Sequence, residues 1–442
     1  MVEQMKPSGI DWIGDIPQSW DIKRLKYLLE QSAENMKVGP FGSALSGGDI
    51  VNEGKWVYNQ RVVLDDNFNE TDSFITEEKF QEMKGFVVKG GDLLITTRGT
   101  IGKIAIVPDN PPEGILHPCI IKFRVNKKLI LPELVKLIFN ESDLIKDQFV
   151  LMSNATTIEV IYSYSLKEII LPVIPMEEQK AIADFLDKQC LKLDGIISDL
   201  EKQIETLQKY KKSLILETVT KGLNKNVPMK SSGIDWIGDI PAHWDINKIK
   251  YLFSIVNGST PESNDLNCWD GDICWITPAD MEDFGEIAFG ERNITTFGYD
   301  SCGTSLLPIG SIIISTRAPI GKINITTNVL CTNQGCKSLV GNKDNKYFYY
   351  LLYALKDQLT LLGRGTTFLE LSTSALANFK IINPKDEEQI CIVNYLDSQC
   401  EKIDSILKDK KEQLEKIKRH KKSLIYEYVT GKKRVKEATN GN

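Results

Sequence analysis

The chain has 442 residues, 42% hydrophobic and 26% charged, with a net charge of −6 and a pI of about 5.5. These proportions are ordinary for a globular chain; no apolar run reaches the roughly 20 residues of a membrane span, and MVEQMKPSGIDW does not read as a signal peptide. The acidic balance counts against a simple nucleic-acid binder, which shows a basic face, but leaves room for a local basic patch.

Read from the N-terminus, the first element occurs twice. MKPSGIDWIGDIPQSWDIKRLKYL at 5–28 returns as MKSSGIDWIGDIPAHWDINKIKYL at 229–252, with 18 of 24 positions identical at an offset of 224. A period this long makes each repeat a domain, not a solenoid unit. The end of the block, Trp20 to Leu29, reads as a strand or turn running into a short helix.

A middle of roughly 130 to 140 residues follows in each half, with the β-branched runs and Gly, Asp or Pro boundaries of strands. Phe86-Val87-Val88, Leu93 to Thr97 and Ile104 to Val107 are predicted strands, matched by Ile312 to Thr316 and Ile323 to Thr327. Short helices are predicted at Pro132–Phe139 and Lys346–Leu355. Gly91 to Ile104 returns as Gly310 to Ile323, now at an offset of 219. The frame repeats while the residues between shared blocks change in type and number.

The third part begins at Pro175-Met176-Glu177-Glu178-Gln179 and again at Pro384 and Asp386-Glu387-Glu388-Gln389. Proline near a first turn followed by acids on the positive dipole end is a helix start. Leu193, Ile197, Leu200, Ile204, Leu207 and Leu214 then fall in alternating steps of four and three, with Lys211 as a polar seam position. Ile403, Leu407, Leu414, Ile417 and Leu424 repeat the spacing, with Lys410 and Lys421 as exceptions. That is a heptad seam, predicting helices of about 44 residues and about 66 Å. Packing of the two on each other, antiparallel, is expected; the alternative lays each on its own domain.

The nine cysteines are scattered and odd in number. Cys268 and Cys274, and Cys331 and Cys336, lack a nearby His pair, so neither a disulfide framework nor a zinc site is expected. They read as reduced cytoplasmic thiols that pack as small hydrophobes, with Cys190 and Cys400 at equivalent helix positions. Basic clusters at Lys209 to Lys212, Lys418 to Lys422 and Lys432 to Lys436 lie near helix C-termini, where cations also complement the macrodipole.

Tests for chemistry fail. A phosphate loop needs Gly five residues before its Gly-Lys pair and Ser or Thr after; around Gly102-Lys103 those positions hold Thr97 and Ile104, and in the second copy Thr316 and Ile323. Asn110-Pro111-Pro112-Glu113 resembles an amino-methyltransferase motif but lacks its aromatic and its cofactor loop. His117, His243 and His420 are the only histidines, and none recurs in the repeat. No active site and no metal site are expected in this chain.

Taken together, the opening block Ser8 to Trp20, Gly39-Pro40-Phe41-Gly42-Ser43, Gly91 to Lys103, Trp269 to Pro278, Gly365-Thr366-Thr367-Phe368 and the Pro175 to Gln179 helix start resemble the specificity subunit of type I restriction–modification systems. The resemblance covers essentially the whole chain. It implies an α+β chain: two tandem α/β target-recognition domains joined by two long helices in an antiparallel coiled coil, with pseudo-two-fold symmetry. The expected segments are 1–174, a spacer helix at 175–226, 227–383, a second spacer at 384–436 and a tail at 437–442. Each domain would read half of an asymmetric, split site in double-stranded DNA, while the spacer docks two modification subunits. Those partners would carry S-adenosylmethionine and methylate adenine, and restriction subunits would supply ATP- and Mg-dependent translocation and cleavage. The competing reading is a protein–protein scaffold with two receptor domains on a coiled coil, which the acidic pI favours.

Arg98 and Lys103 recur as Arg317 and Lys322 in the same turn. Features shared by domains that read different sequences suit phosphate better than bases, or else they are solvated cations on a structural turn. Base readers are expected where the copies differ. Asn59, Gln60 and Arg61 are candidates, since these side chains make bidentate base contacts. Thr277 and Asp280 are aligned with Tyr58 and Arg61, and Asn333 and Gln334 are further candidates; surface loop is the alternative for each.

Overall fold

The computed structural model describes residues 4–435 except 12, 33, 42–43, 143, 154–159, 318, 343 and 364–369. Gly42, Ser43, Gly365 to Phe368, Lys436 and the tail at 437–442 therefore lie outside the described residues. The chain divides into two compact units, Met1–Leu200 with Glu412–Asn442, and Glu201–Lys411. The divisions fall inside both long helices, Met176–Lys221 and Asp386–Val429.

The first unit is built on a four-stranded antiparallel sheet in the order Met36–Val38, Ile120–Phe123, Leu93–Thr96, Ile104–Ile106. Leu93–Thr96 and Ile120–Phe123 are wholly buried, as suits mostly apolar strands covered on both faces; the one charged position, Lys122, pairs with buried Asp92. The helix Pro132–Glu141 covers one face. A second sheet pairs Lys55–Tyr58 antiparallel with Phe74–Ile75 and parallel with Gly114–Leu116. Phe86-Val87-Val88 is not a strand. Lys84–Phe86 is a single 3-10 turn, and Val87 makes only an isolated bridge to Ile115.

The second unit repeats the plan with five strands, Ser254–Asn257, Cys336–Val340, Ile312–Ser315, Ile323–Thr326 and Phe284–Ile287, the last pair parallel. Its second sheet joins Trp269–Ile276 to Arg292–Ile294 and, in parallel, to Cys331–Thr332. The added edge strand is held by Phe284, whose ring stacks on Tyr349 and Tyr353 at centroid distances of 4.2 and 3.9 Å. Lys346–Ala354 is helical, as expected.

The repeated blocks turn out to be fasteners. Trp20 and Trp244 are fully buried, and each indole donates to a carboxylate at the start of a long helix, Glu178 or Glu388, at 3.0 Å. Gln179 accepts from Leu131 N at 2.8 Å and donates to the carbonyls of Leu129 and Ile174. Gln389 donates to Pro384 O and Asn383 Oδ1. A buried amide that satisfies several backbone groups fixes local register, so the Glu-Glu-Gln repeat anchors structure. Asp21–Arg24 and Asp245–Lys248 are strands, paired with Ile170–Val173 and Lys380–Asn383 just ahead of each long helix.

The heptad stripe is sheltered along both helices. Leu200, Ile403, Leu407 and Leu414 are buried, while Leu193, Ile197, Ile204, Leu207, Leu214, Ile417 and Leu424 are half-buried; toward the helix C-termini the fully buried Ile215, Val219, Ile425 and Val429 lie beside the seam. In the first unit Lys421 meets Asp194 at 2.8 Å, and the Phe185 ring lies 4.7 Å from that of Tyr428. In the second, Lys211 meets Asp404 at 2.6 Å and Lys410 meets Gln203 at 2.5 Å. In each unit one number falls as the other rises, so the helices run antiparallel. The three lysines that interrupted the apolar seam are the ones that reach across it. Both helices end before residues 226 and 436, closed by Gly222 (φ +73°) and Gly431 (φ +74°) in the left-handed conformation that ends helices. Cys190 and Cys400 are buried, and burial pushes the Cys190 thiol up to about 11.

Candidate nucleic-acid interface

In each unit several loops converge at the end of the main sheet through an equivalent set of backbone bonds. Beyond Leu93–Thr96, Thr97 donates through N and Oγ1 to Cys119 O at 3.0 and 2.9 Å. Thr316 does the same to Gly335 O at 2.8 and 3.1 Å. From the other side Ile161 N donates to Thr97 O, and Leu371 N to Thr316 O. Arg98 and Arg317 are thereby held in bridges to Val160 and Glu370, with both side chains exposed.

Two glycines let a further loop close on this junction. A Cβ on Gly39 would stand 2.1 Å from His117 O, and one on Gly258 would stand 2.0 Å from Asn333 O. Only glycine permits that approach. His117 Nδ1 accepts from Cys119 N at 3.1 Å, and Asn333 Oδ1 accepts from Gly335 N at 2.9 Å. His117 and Asn333 thus occupy one structural position with different chemistry. Burial pushes His117 below the ordinary histidine range, which keeps the acceptor nitrogen unprotonated.

The register of the candidate readers follows from the same bonds. His117 N donates to Tyr58 O, and Asn333 N to Ile276 O. Tyr58 therefore corresponds to Ile276, which puts Thr277 opposite Asn59 and Asp280 opposite Val62. The alignment of Thr277 with Tyr58 is out by one, because the spacing between shared blocks drifts along the chain.

The candidates separate by what already holds them. Asn59 caps the helix Gln60–Leu64, accepting from Arg61 N and Val62 N, and donates to Asp72 and Ser73. Asp280 accepts from Thr277 N, Thr277 Oγ1 and Glu291 N, closing its own turn. Asn333 is engaged with Gly335 as described. These four, Asn59, Thr277, Asp280 and Asn333, shape the loops. Gln60 is half-buried and reaches Thr100 O at 3.4 Å, joining its helix to the Arg98 turn. Arg61 is exposed, with only long contacts of 3.5 Å to Asp65 and Asp72. Gln334 is exposed and accepts from Thr260 Oγ1. Exposed ion pairs of this kind hold weakly, so Arg61 and Arg317 can exchange their carboxylate partners for a ligand.

Lys103 and Lys322 behave unlike the arginines beside them. The Lys103 ammonium donates to Asn140 O at 2.7 Å, at the C-terminal end of Pro132–Glu141. Lys322 donates to Pro278 O and Met281 O, each at 2.8 Å. Both are half-buried and clamp carbonyls, so the expectation of phosphate contacts narrows to Arg98 and Arg317. Two features escaped sequence reasoning. Arg292 stacks on Trp269, with its guanidinium carbon 3.6 Å from the ring centroid. Tyr162 and Tyr164 stack on each other, 53% and 67% exposed, directly after the Val160 bridge. The periodicity of neither segment marks a surface aromatic, so no sequence signal singled them out.

A duplicated chain, with one loop frame dressed differently in each copy, defines a protein with two specificity domains. The family model for the type I restriction modification DNA specificity domain matches twice, at residues 20–206 and 241–416. The chain belongs to the family of type I restriction–modification specificity subunits, the non-catalytic subunits of those systems. It is 28% identical over 438 residues to a putative type I restriction enzyme MjaX specificity subunit of Methanocaldococcus jannaschii, covering 96% of each chain. It is 29% identical over 369 residues to the MjaVIII specificity subunit of the same organism, covering 80% of this chain and 81% of that one. Its fold is shared with a chain from a structure on complex assembly and conformational transition of the type I R-M system, with a TM-score of 0.69 at 18% identity, covering 94% and 98% of the two chains. Among the described residues no helix is long and apolar enough to cross a membrane, and no cluster of His, Cys, Asp and Glu could hold a metal.

Proposed function

We propose that each unit reads one half of an asymmetric, gapped site in double-stranded DNA through the loops around Arg98 and Arg317. One observation carries this reading: equivalent backbone bonds hold the junction in both units, while Val160, His117 and Asn59 in one are replaced by Glu370, Asn333 and Thr277 in the other. A constant frame with exchanged side chains is what two different targets require. In this reading Arg98 and Arg317 meet phosphate and set position, whereas base edges fall to exposed side chains of the differing loops, such as Arg61 and Gln334. The chain works in the cytoplasm within an assembly that shares the electrostatic grip on DNA, which accommodates its net charge of −6. Two methyltransferase subunits dock on the long helices, bind S-adenosylmethionine and methylate adenine; restriction subunits supply ATP- and Mg-dependent translocation and cleavage. Mapping methylated adenine across the genome of the source cell, with and without this gene, tests the proposal. Loss of one asymmetric, gapped motif is expected. An unchanged methylation map in cells that express the assembled complex would contradict it.

A further inference from the structure

The two units part company immediately beyond the arginine bridge. In the second, Ser372 caps the helix Thr373–Asn378 by accepting from Ala375 N at 3.1 Å. In the first, the equivalent helix Ser163–Glu168 begins after Tyr162, whose side chain makes no cap hydrogen bond. The correspondence is fixed by the Ile161 to Thr97 and Leu371 to Thr316 backbone bonds, which set Tyr162 opposite Ser372 and Tyr164 opposite Ser374. Replacing a serine cap by a residue that cannot cap leaves the first backbone N–H groups of the helix without that partner and weakens its start. The first unit accepts that loss to place two large rings in solvent.

Those rings lie 5.4 Å apart and within 10° of parallel. A local rule broken with no packing gain marks a functional position. Another exposed aromatic, Tyr27, recurs as Tyr251, 63% and 69% exposed, and a feature common to both units cannot distinguish two half-sites. The stacked pair can, because it exists in one unit alone. Its surroundings differ too: Arg317 faces Glu370 at 3.6 Å, whereas Arg98 bridges to Val160. Among the described residues, Arg98 thus has an apolar residue across its bridge where Arg317 has a carboxylate.

We infer that Tyr162 and Tyr164 are specificity-determining residues for the first half-site alone, contacting duplex DNA beside Arg98. Their rings offer apolar faces to thymine methyl groups and sugar edges, and their hydroxyls can donate to phosphate oxygens. The inference rests on the DNA-reading role of the loops proposed above.

The test uses the complete assembly with its partner subunits and a fluorescent duplex carrying the motif that methylation mapping gives. The double variant Tyr162→Ser/Tyr164→Ser installs the second unit's residues and restores its helix cap, so folding is retained; Tyr164→Ser alone serves should the double variant melt early. The expected result is normal assembly, with binding weakened about tenfold to a hundredfold, the loss usual for a removed base-edge contact. Discrimination against a duplex altered in the first half-site should fall, while discrimination at the second stays as it was. Unchanged affinity would overturn the inference. So would weakened assembly with unaltered affinity per assembled complex, which would make the pair a protein contact. A wild-type assembly that fails to distinguish the motif from a scrambled duplex would instead sink the underlying reading.

Discussion

At the scale of single residues, the repeat separates side chains that hold loops from side chains left to meet a ligand. Lys103 and Arg98 are five positions apart, recur together and carry the same charge, yet one amine binds a helix-terminal carbonyl while the guanidinium stays exposed. Sequence pattern cannot draw that line, because charge belongs to the residue type whereas its partner is set by tertiary geometry. His117 was illegible for a related reason. Its counterpart is Asn333, and only the shared acceptor role toward the backbone N–H two residues on links them. That link gives a pH prediction. Burial lowers the folded His117 value, so the neutral ring contributes stability above the ordinary histidine pKa. That contribution is lost as pH falls through the folded value. DNA binding through the first half-site should therefore weaken on mild acidification, and His117→Asn should flatten that dependence. A titration of binding against pH for each half-site checks this; an identical acid loss in the variant would contradict the assigned role.

Among elements, the long helices were the most legible. A heptad seam is a periodic signal that tertiary context only reinforces, and Lys211, Lys410 and Lys421 interrupt it where an acid or amide waits across the pair. Four strands of the main sheets, Leu93–Thr96, Ile104–Ile106, Ile312–Ser315 and Ile323–Thr326, were legible as short apolar runs rich in β-branched residues, whereas the other five, more mixed in type, were not. Phe86-Val87-Val88 misled because a short apolar run reads alike whether it forms a ladder or a single bridge. The Thr277 alignment misled by one residue because insertions fall in the very loops that differ. Since the seam carries the helix pair, Leu200→Pro should remove a backbone bond and kink the first long helix, at a cost of about 3 kcal/mol or more. Co-purification with the methyltransferase subunits should be lost, and circular dichroism should show reduced helix content. Undiminished assembly would mean that the helix pair is not what the partners recognise.

In the whole molecule one structural frame is used twice, and its insert selects DNA. The frame marks natural joints. Leu25 N donates to Ile169 O at 2.7 Å, and Ile249 N donates to Phe379 O at 3.0 Å, so each variable middle enters and leaves through equivalent bonds. Replacing the segment between Leu25 and Ile169 with the one between Ile249 and Phe379 should leave the fasteners Trp20, Glu178 and Gln179 in place. The most direct measurement is the adenine methylation motif written by that hybrid, assembled with its partner subunits. A symmetric, gapped motif, with both halves equal to the original second half, is the predicted result. Retention of the original asymmetric motif by a folded, assembled hybrid would contradict the claim that each unit reads its own half.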